Sequence, residues 1–254
     1  MNTLNLAAVE RLLRTEAIGR RITYLDSTGS TMDIAREWAA ADAPHGAVVI
    51  AEEQTAGRGR FGRRWVSPAG LNLYLTLLVR PDAERLGALA MITSLAVCRA
   101  IETATDLAPV IKWPNDVQIG GRKVSGILIE SESQGEDVRY ALVGPGINVN
   151  DPIADPEIAE IATSLAREVG REVSREDVLA AFLNEFEDAY VTPLQVHAAW
   201  RSRLATLGEA VRLGFRGETY EGVAEDVTPD GSLILRLPDG SRRTFEAGEV
   251  SLRG

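Results

Sequence analysis

The chain has 254 residues, 45% hydrophobic and 25% charged, without a repeat or low-complexity tract; that is ordinary globular composition, long enough for a full core with a small second unit. Its 27 basic and 37 acidic residues give a net charge of −10, which argues against general nucleic-acid binding, because phosphate backbones are engaged by excess Lys and Arg. The single cysteine, Cys98, leaves no disulfide framework and no cysteine zinc site, and with no bilayer-length apolar run and Glu10 plus arginines at the N-terminus, a cytoplasmic protein without membrane attachment is expected.

Residues 5–16 read as a short amphipathic helix, residues 21–26 (RITYLD) as a strand, and residues 31–41 as a helix entered through the Ser/Thr/Gly cluster at 27–30. AVVIAEEQ, residues 47–54, is a second strand. The following TAGRGRFGRRWVSPAG lacks periodicity and reads as a long loop before the β-like LNLYLTLLV at 71–79. Residues 83–105 carry helical periodicity; IKW, DVQI, KVSGILIE and YALVGPGINV read as strands, with a hairpin turn at Gly120-Gly121 and an acid-rich solvated turn at 132–137. A helical stretch follows from 155 to about 207, with a capped start at Ser174. Short strands separated by Pro-Asp-Gly turns then occupy the C-terminus. The fold class is therefore α+β: a mixed, largely antiparallel sheet with helices on one side over residues 1–206, then a small SH3-like β-barrel over 207–254.

Two constellations carry chemistry. Around Gly57, Gly59 and Gly62 the loop places Arg58, Arg60, Arg63 and Arg64 with no acid between them, which suits either a phosphate or acyl phosphate, or a solvated basic surface. The letters GRGRFG match a dinucleotide fingerprint, but the residues that follow predict a strand where that fold needs a helix. The second constellation is Lys112-Trp113-Pro114-Asn115-Asp116 followed by the Gly-Gly turn and Lys123. The turn starts a strand at Lys123, so its ammonium can be held toward a cleft and neutralise a carboxylate or phosphate. Asn115 and Asp116 could serve Mg²⁺ or a proton transfer.

Taken in this order and spacing, GRGRFGRRWVSPAGLNLYLTLL, KWPNDV, GRKVSGILIE and GPGINVN resemble the biotin protein ligases from about residue 23 to 150, and the small C-terminal β-domain fits the same family. The resemblance implies a biotin–[biotin carboxyl-carrier protein] ligase that forms biotinyl-5′-AMP from biotin and MgATP and transfers biotin to a lysine of a carboxylase's carrier domain. It implies that Lys123 bridges the biotin carboxylate and the α-phosphate, with Arg60 and Asp116 beside it as catalytic residues. Ser30, Thr31, Gln54, Arg58, Gly59, Arg60 and Gly126 would bind biotin; Trp65, Asn115, Asn148 and Lys123 would bind the nucleotide; and Asp116 would meet the metal. Ser30-Thr31 resembles the family's Ser-Thr-Asn with Met32 in place of the asparagine, while Ser27-Thr28 offers another register. With about twenty residues before the first strand, the ligase-only form is implied, without an operator-binding domain; members occur as monomers and homodimers, and both stay open here.

A mixed anhydride hydrolyses readily, so the glycine-hinged loop is expected to be mobile without ligand and to close over it. Two rival readings remain: a lipoate or octanoate ligase on the same catalytic fold, with a more apolar pocket, and a non-catalytic nucleotide or small-molecule sensor. His45 and His197 lack ligand-spaced partners, so solvent-exposed or packing roles are expected for them, and Trp38 and Trp200 sit in helical stretches, so core roles are expected for those two.

Overall fold

The computed structural model describes residues 3–135, 137–192 and 195–252. Its larger sheet contains β1 (Ile22–Thr28), β2 (Ala47–Gln54), β3 (Leu73–Val79), β4 (Val110–Lys112), β5 (Asp116–Ile119), β6 (Arg122–Gln134) and β7 (Asp137–Ile147), in the order β1-β2-β3-β7-β6-β5-β4. β1 runs parallel to β2, and every other neighbouring pair is antiparallel. The helices are α1 (Leu6–Leu12), α2 (Thr31–Ala40), α3 (Ala83–Ala104), α4 (Pro156–Ile161), α5 (Leu165–Val169), α6 (Arg175–Val191) and α7 (Val196–Arg201). A second sheet contains β8 (Ala210–Phe215), β9 (Glu218–Val227), β10 (Leu233–Arg236), β11 (Arg242–Phe245) and β12 (Glu249–Leu252), all antiparallel, in the order β11-β10-β9-β8-β12. The α+β class with a mixed, mostly antiparallel sheet is as the sequence predicts.

One expectation fails: the helices do not all lie on one side. Val48, Ile50, Leu75, Leu77 and Val79 belong to the main core with α3 and α6, whereas Ala47, Val49 and Leu78 join Met32, Ala35 and Ala39 of α2 in a second cluster. Successive strand residues point to opposite faces, so the continuous apolar runs of β2 and β3 require cover on both. Helix α3 is long and apolar enough to cross a membrane by length and composition, yet 61% of its most apolar window is buried in this core. Cys98 lies on α3, fully buried, where desolvation pushes its thiol up to about 12; it is a packing residue. Trp200 is buried and donates to Ser94 Oγ at 3.1 Å, while Trp38 is half-buried under the Arg21 guanidinium.

Two helical expectations are trimmed. The first helix ends at Leu12 rather than 16, because the next N–H groups find tertiary acceptors on α6: Arg14 N donates to Asn184 Oδ1, and Glu16, Ala17 and Ile18 donate to the Glu187 carboxylate. Among the described residues the 155–207 stretch divides into the 17-residue α6 and three short helices, α5 stopping at Gly170 in a left-handed conformation. In the turn at 132–137, Glu132 still belongs to β6 and pairs with Arg139, while Glu136 lies outside the described residues.

The two sheets are tied together through the segment after α7. Ile111 N donates to Arg203 O at 2.8 Å, Ala205 N to Ile111 O at 2.9 Å and Trp113 N to Thr206 Oγ1 at 2.9 Å. Trp113, whose peptide bond to Pro114 is cis, donates its indole N–H to Gly231 O, in the turn between β9 and β10, at 2.9 Å. His197 meets Thr228 O at 3.0 Å across the same junction, and His45 accepts the Arg80 N–H; both histidines pack as expected.

A buried ion pair joins the remaining segments. Arg175, 6% exposed, grips Glu52, 7% exposed, through two hydrogen bonds of 2.7 and 2.9 Å. Glu52 also accepts from Leu4 N, Gly70 N and the Tyr24 hydroxyl, and Arg175 donates to Asn72 O. Burial alone would raise the Glu52 carboxyl, but the hydrogen bonds from Arg175, Tyr24 and Leu4 outweigh it and hold it below its ordinary value. Arg175→Met leaves a buried, unpaired carboxylate and is expected to lower unfolding free energy by about 3 kcal/mol in urea titrations at neutral pH. A carboxylate with a depressed folded pKa stabilises above its unfolded pKa and loses that contribution as pH falls through the folded value. The difference between wild type and variant should therefore narrow in acid; a gap independent of pH would contradict it.

Candidate active site

The candidate site is a cavity of about 760 Å³ at the end of the larger sheet, roofed by the 55–72 loop and flanked by α4 and the edge of β12. All twelve residues singled out from the sequence line it: Ser30, Thr31, Gln54, Arg58, Gly59, Arg60, Trp65, Asn115, Asp116, Lys123, Gly126 and Asn148. Their positions follow from local structure. Thr28 pairs with Gln54, so the parallel strands end together, and the chain passes from β1 through Gly29 to Ser30, the extended N-cap of α2. Ser30 and Thr31 are buried in the wall, whereas Ser27 is exposed on β1.

At this end the polar groups are chained. Gln54 Oε1 accepts from Thr31 N at 3.0 Å and Thr31 Oγ1 at 3.2 Å, while its Nε2 donates to Ser67 Oγ at 3.1 Å. Thr76 on β3 donates to Thr31 Oγ1 at 2.8 Å. Thr76 was not legible in advance, because an inward threonine looks like any other residue of a β-strand. Met32 also lines the cavity, its sulfur packed beside Gly144 of β7.

The loop folds back on itself: Gly59 N donates to Arg63 O at 2.7 Å and Trp65 N to Gly57 O at 2.9 Å, around a single 3₁₀ turn at Arg60–Gly62. Its arginines diverge. Arg58 pairs with Asp33 on α2, Arg60 turns inward and donates to Asn115 Oδ1 at 2.9 Å, and Arg63 pairs with Glu249 on β12. Burial lowers the Arg60 guanidinium from its usual range, with nearby Asp116 opposing; arginine remains charged regardless. Phe61 stands 67% exposed at the tip. Glu249 is a second residue the sequence did not reveal, being remote and in no motif.

The far end is built by the hairpin of β5 and β6. Its tight turn has both Gly120 and Gly121 at positive φ, and it starts β6 so that Lys123 Nζ lies 2.7 Å from Asp116 Oδ1 and 5.3 Å from the Trp65 ring centroid. Asn115 Nδ2 donates to Ile127 O, fixing its amide with the oxygen toward Arg60. Asn148 donates to Thr163 O at 3.1 Å from the strand exit after β7.

Gly126 and Gly146 are register partners on β6 and β7, and the Trp65 indole lies directly over them. A Cβ at Gly146 would sit 2.7 Å from the indole, and one at Gly126 would sit 2.8 Å from the Lys123 terminus and 3.0 Å from Trp65. The close approach at Gly126 is thus made by protein groups here. Trp65 Nε1 is buried without a hydrogen-bond partner.

Asp116, which the resemblance offers to the metal, is ion-paired with Lys123 through Oδ1, and among the described residues no group of three or more His, Cys, Asp or Glu side chains could hold an ion.

Comparison with known proteins agrees with this geometry. Residues 24–148 match the Biotin/lipoate A/B protein ligase family, and residues 206–253 match the Biotin protein ligase C terminal domain. The chain is 35% identical over 246 residues to the bifunctional ligase/repressor BirA of Bacillus spizizenii, covering 92% of this chain and 75% of that protein. It is 37% identical over 225 residues to the biotin–[acetyl-CoA-carboxylase] ligase of Paracoccus denitrificans, covering 81% and 90%. Its fold superposes on the biotin protein ligase from Aquifex aeolicus in complex with biotin and ATP with a TM-score of 0.78, at 29% identity over 92% of this chain and 99% of that one.

The indole's seat is testable without ligand. Gly146→Ala should lift Trp65 from the strands and red-shift its emission, taken as the difference between each protein and its Trp65→Phe counterpart; an unchanged difference spectrum would remove the seat.

Proposed function

This chain belongs to the biotin protein ligases of the biotin/lipoate A/B protein ligase family, and we propose that its cavity activates biotin with ATP and passes it to a carrier-domain lysine. The observation that carries this reading is the joint placement of a hydroxyl and amide cluster at one end and a rigidly held ammonium at the other. A buried cyclic urea needs a partner for each N–H and for its oxygen. Ser30, Thr31 and Thr76 supply hydroxyls and Gln54 an amide; Met32 brings a thioether where the family pattern has an asparagine, so the neighbouring Thr76 hydroxyl is the better third contact.

In the first step a biotin carboxylate oxygen attacks the α-phosphorus of ATP, the bond to the β-phosphate bridging oxygen breaks and pyrophosphate leaves. Two anions must meet for this. Lys123, held by Asp116 and resting against Trp65, is placed to neutralise both, and the buried Arg60 adds a second fixed cation in a poorly solvated site. Trp65 presents a flat face for adenine, and Asn115 and Asn148 line the nucleotide side. Mg²⁺ would arrive with the triphosphate and neutralise it, and Asp116 and Asn115 would be the residues to hold it. In the second step the carrier's lysine amine attacks the acyl carbon, AMP leaves, and the amine's proton passes to a base, a role we give to Asp116, the carboxylate paired with Lys123 in the cavity. Arg58 and Gly59 cover the acyl chain and keep water from the anhydride. The acidic chain outside this cavity supports a reading without nucleic-acid partners, and the five-stranded C-terminal sheet is read as SH3-like.

Pyrophosphate exchange into ATP, measured with biotin, lipoate and octanoate separately, decides the acid. Exchange is expected with biotin alone; exchange with lipoate or octanoate would move the reading to the apolar-acid ligases that share this family. Lys123→Ala is expected to lower biotin-dependent exchange at least about a hundredfold, the scale of losing a preorganised charge contact, with an unchanged melting temperature. Full exchange in that variant would remove the lysine from the mechanism.

A further inference from the structure

Asp33 lies outside the cavity wall, yet it orients a residue within it. Its carboxylate receives both terminal nitrogens of Arg58, Nη1 to Oδ2 at 2.8 Å and Nη2 to Oδ1 at 2.7 Å. It also accepts from Arg36 Nη1 at 2.8 Å, and Arg36 continues through Nη2 to Glu130 on β6. The Arg58 fork, the hydrogen bonds from Arg36 and the neighbouring positive charges hold Asp33 ionised, with its pKa down at about 2. Asp33 sits in the first turn of α2, two residues beyond Thr31, where the helix terminus also favours an anion. A chain of four charged side chains therefore runs from β6 across α2 to the loop, and it ends on Arg58, whose backbone bridges Arg64 across the loop's own hairpin.

The bidentate geometry matters because a guanidinium held by one oxygen can swing, whereas one held by two parallel bonds has its plane and direction set. Arg58 lines the cavity while so held, and Asp33 does not. The pair is thus compatible with an occupied cavity: the carboxylate stands behind the arginine and does not compete with a ligand in front of it.

We propose that Asp33 is a positioning residue that pins the 55–72 loop over the cavity through Arg58 and so sets how slowly the acyl-adenylate escapes. The inference rests on the biotin-adenylate reading of the cavity for its consequence, but not for the pin itself. Because the side chains of Arg58 and Asp33 are 36% and 45% exposed, water and salt screen the pair, and the effect is a rate change rather than a loss of fold.

The test uses the full chain with Asp33→Asn and Asp33→Glu. In the ligand-free protein, trypsin cleavage after the loop arginines is expected to quicken about fivefold in the Asn variant and to stay within about twofold of wild type in the Glu variant. With adenylate preformed from biotin and MgATP, release is expected about fivefold faster for Asn at low salt, and the gap should close at high salt as the wild-type pair is screened. A merely structural role would not produce that salt dependence or the rescue by glutamate. Unchanged cleavage and release in Asp33→Asn would overturn the proposal, and so would slower release, since Asp33 would then be a competitor for Arg58. Should the wild type form no adenylate from biotin, the functional reading falls while the trypsin comparison still decides the pin. If the Asn variant does not fold, Glu130→Gln removes the far end of the same chain and is expected to quicken cleavage about twofold; no change would count against the pin.

Discussion

The ion pair of Glu52 and Arg175 is the constraint on which the rest of this structure depends. Moving two charges from water into a protein interior costs several kcal/mol per ion, and attraction alone offsets this only with good geometry and full hydrogen bonding. Here both conditions hold: a two-point grip, three further donors to the carboxylate and a carbonyl acceptor for the guanidinium. The partners come from six places in the chain, namely the N-terminal segment, β1, β2, the loop exit at Gly70, the entry to β3 and the first turn of α6. An apolar contact there would stabilise without specifying direction, whereas this network accepts only one arrangement of those segments.

The functional site inherits that order. Two residues beyond Glu52, β2 reaches Gln54, which links Thr31 on α2 to Ser67 on the loop. Gly70, held by Glu52, fixes where the loop returns to the sheet, and four residues past Asn72 lies Thr76, the hydroxyl that meets Thr31. The polar end of the cavity is thus anchored within one turn of chain from a buried charge network. Its other end depends on a different device, the tight hairpin that delivers Lys123 beside Asp116. A rigid strand pair between two independently fixed ends suits a ligand that is held at one end and reacts at the other.

Much of this was legible from sequence for a physical reason: the loop, KWPND and the lysine hairpin are local, and their chemistry is visible in residue type and spacing alone. All twelve chosen residues fall in one cavity. What was not legible depends on partners far along the chain. Thr76 looks like any strand residue until α2 is laid against β3, and Glu249 gains meaning only when the second sheet is docked. The first helix looked longer because its pattern persists past Leu12, and only the Glu187 and Asn184 acceptors on α6 end it. The cover on the second face of the sheet failed for a related reason: a strand apolar on both sides demands a second layer, but its sequence does not say which helix provides it.

The loop shows how one charge type can do several jobs within seven residues. Four arginines without an intervening acid repel one another, and a segment of that kind has no reason of its own to fold back. The fold supplies an opposing group to three of them from different directions: α2 offers Asp33 to Arg58, the hairpin offers Asn115 to Arg60, and the second sheet offers Glu249 to Arg63. Two of these partners are charged and lie at the rim; the one facing inward is a neutral amide. The amide oxygen orients Arg60 without forming an ion pair, whereas Lys123 shares the same cavity with the Asp116 carboxylate. The outer arginines are ion-paired across the roof and the inner one is hydrogen-bonded to a neutral amide, so position relative to the cavity, rather than residue type, separates their surroundings.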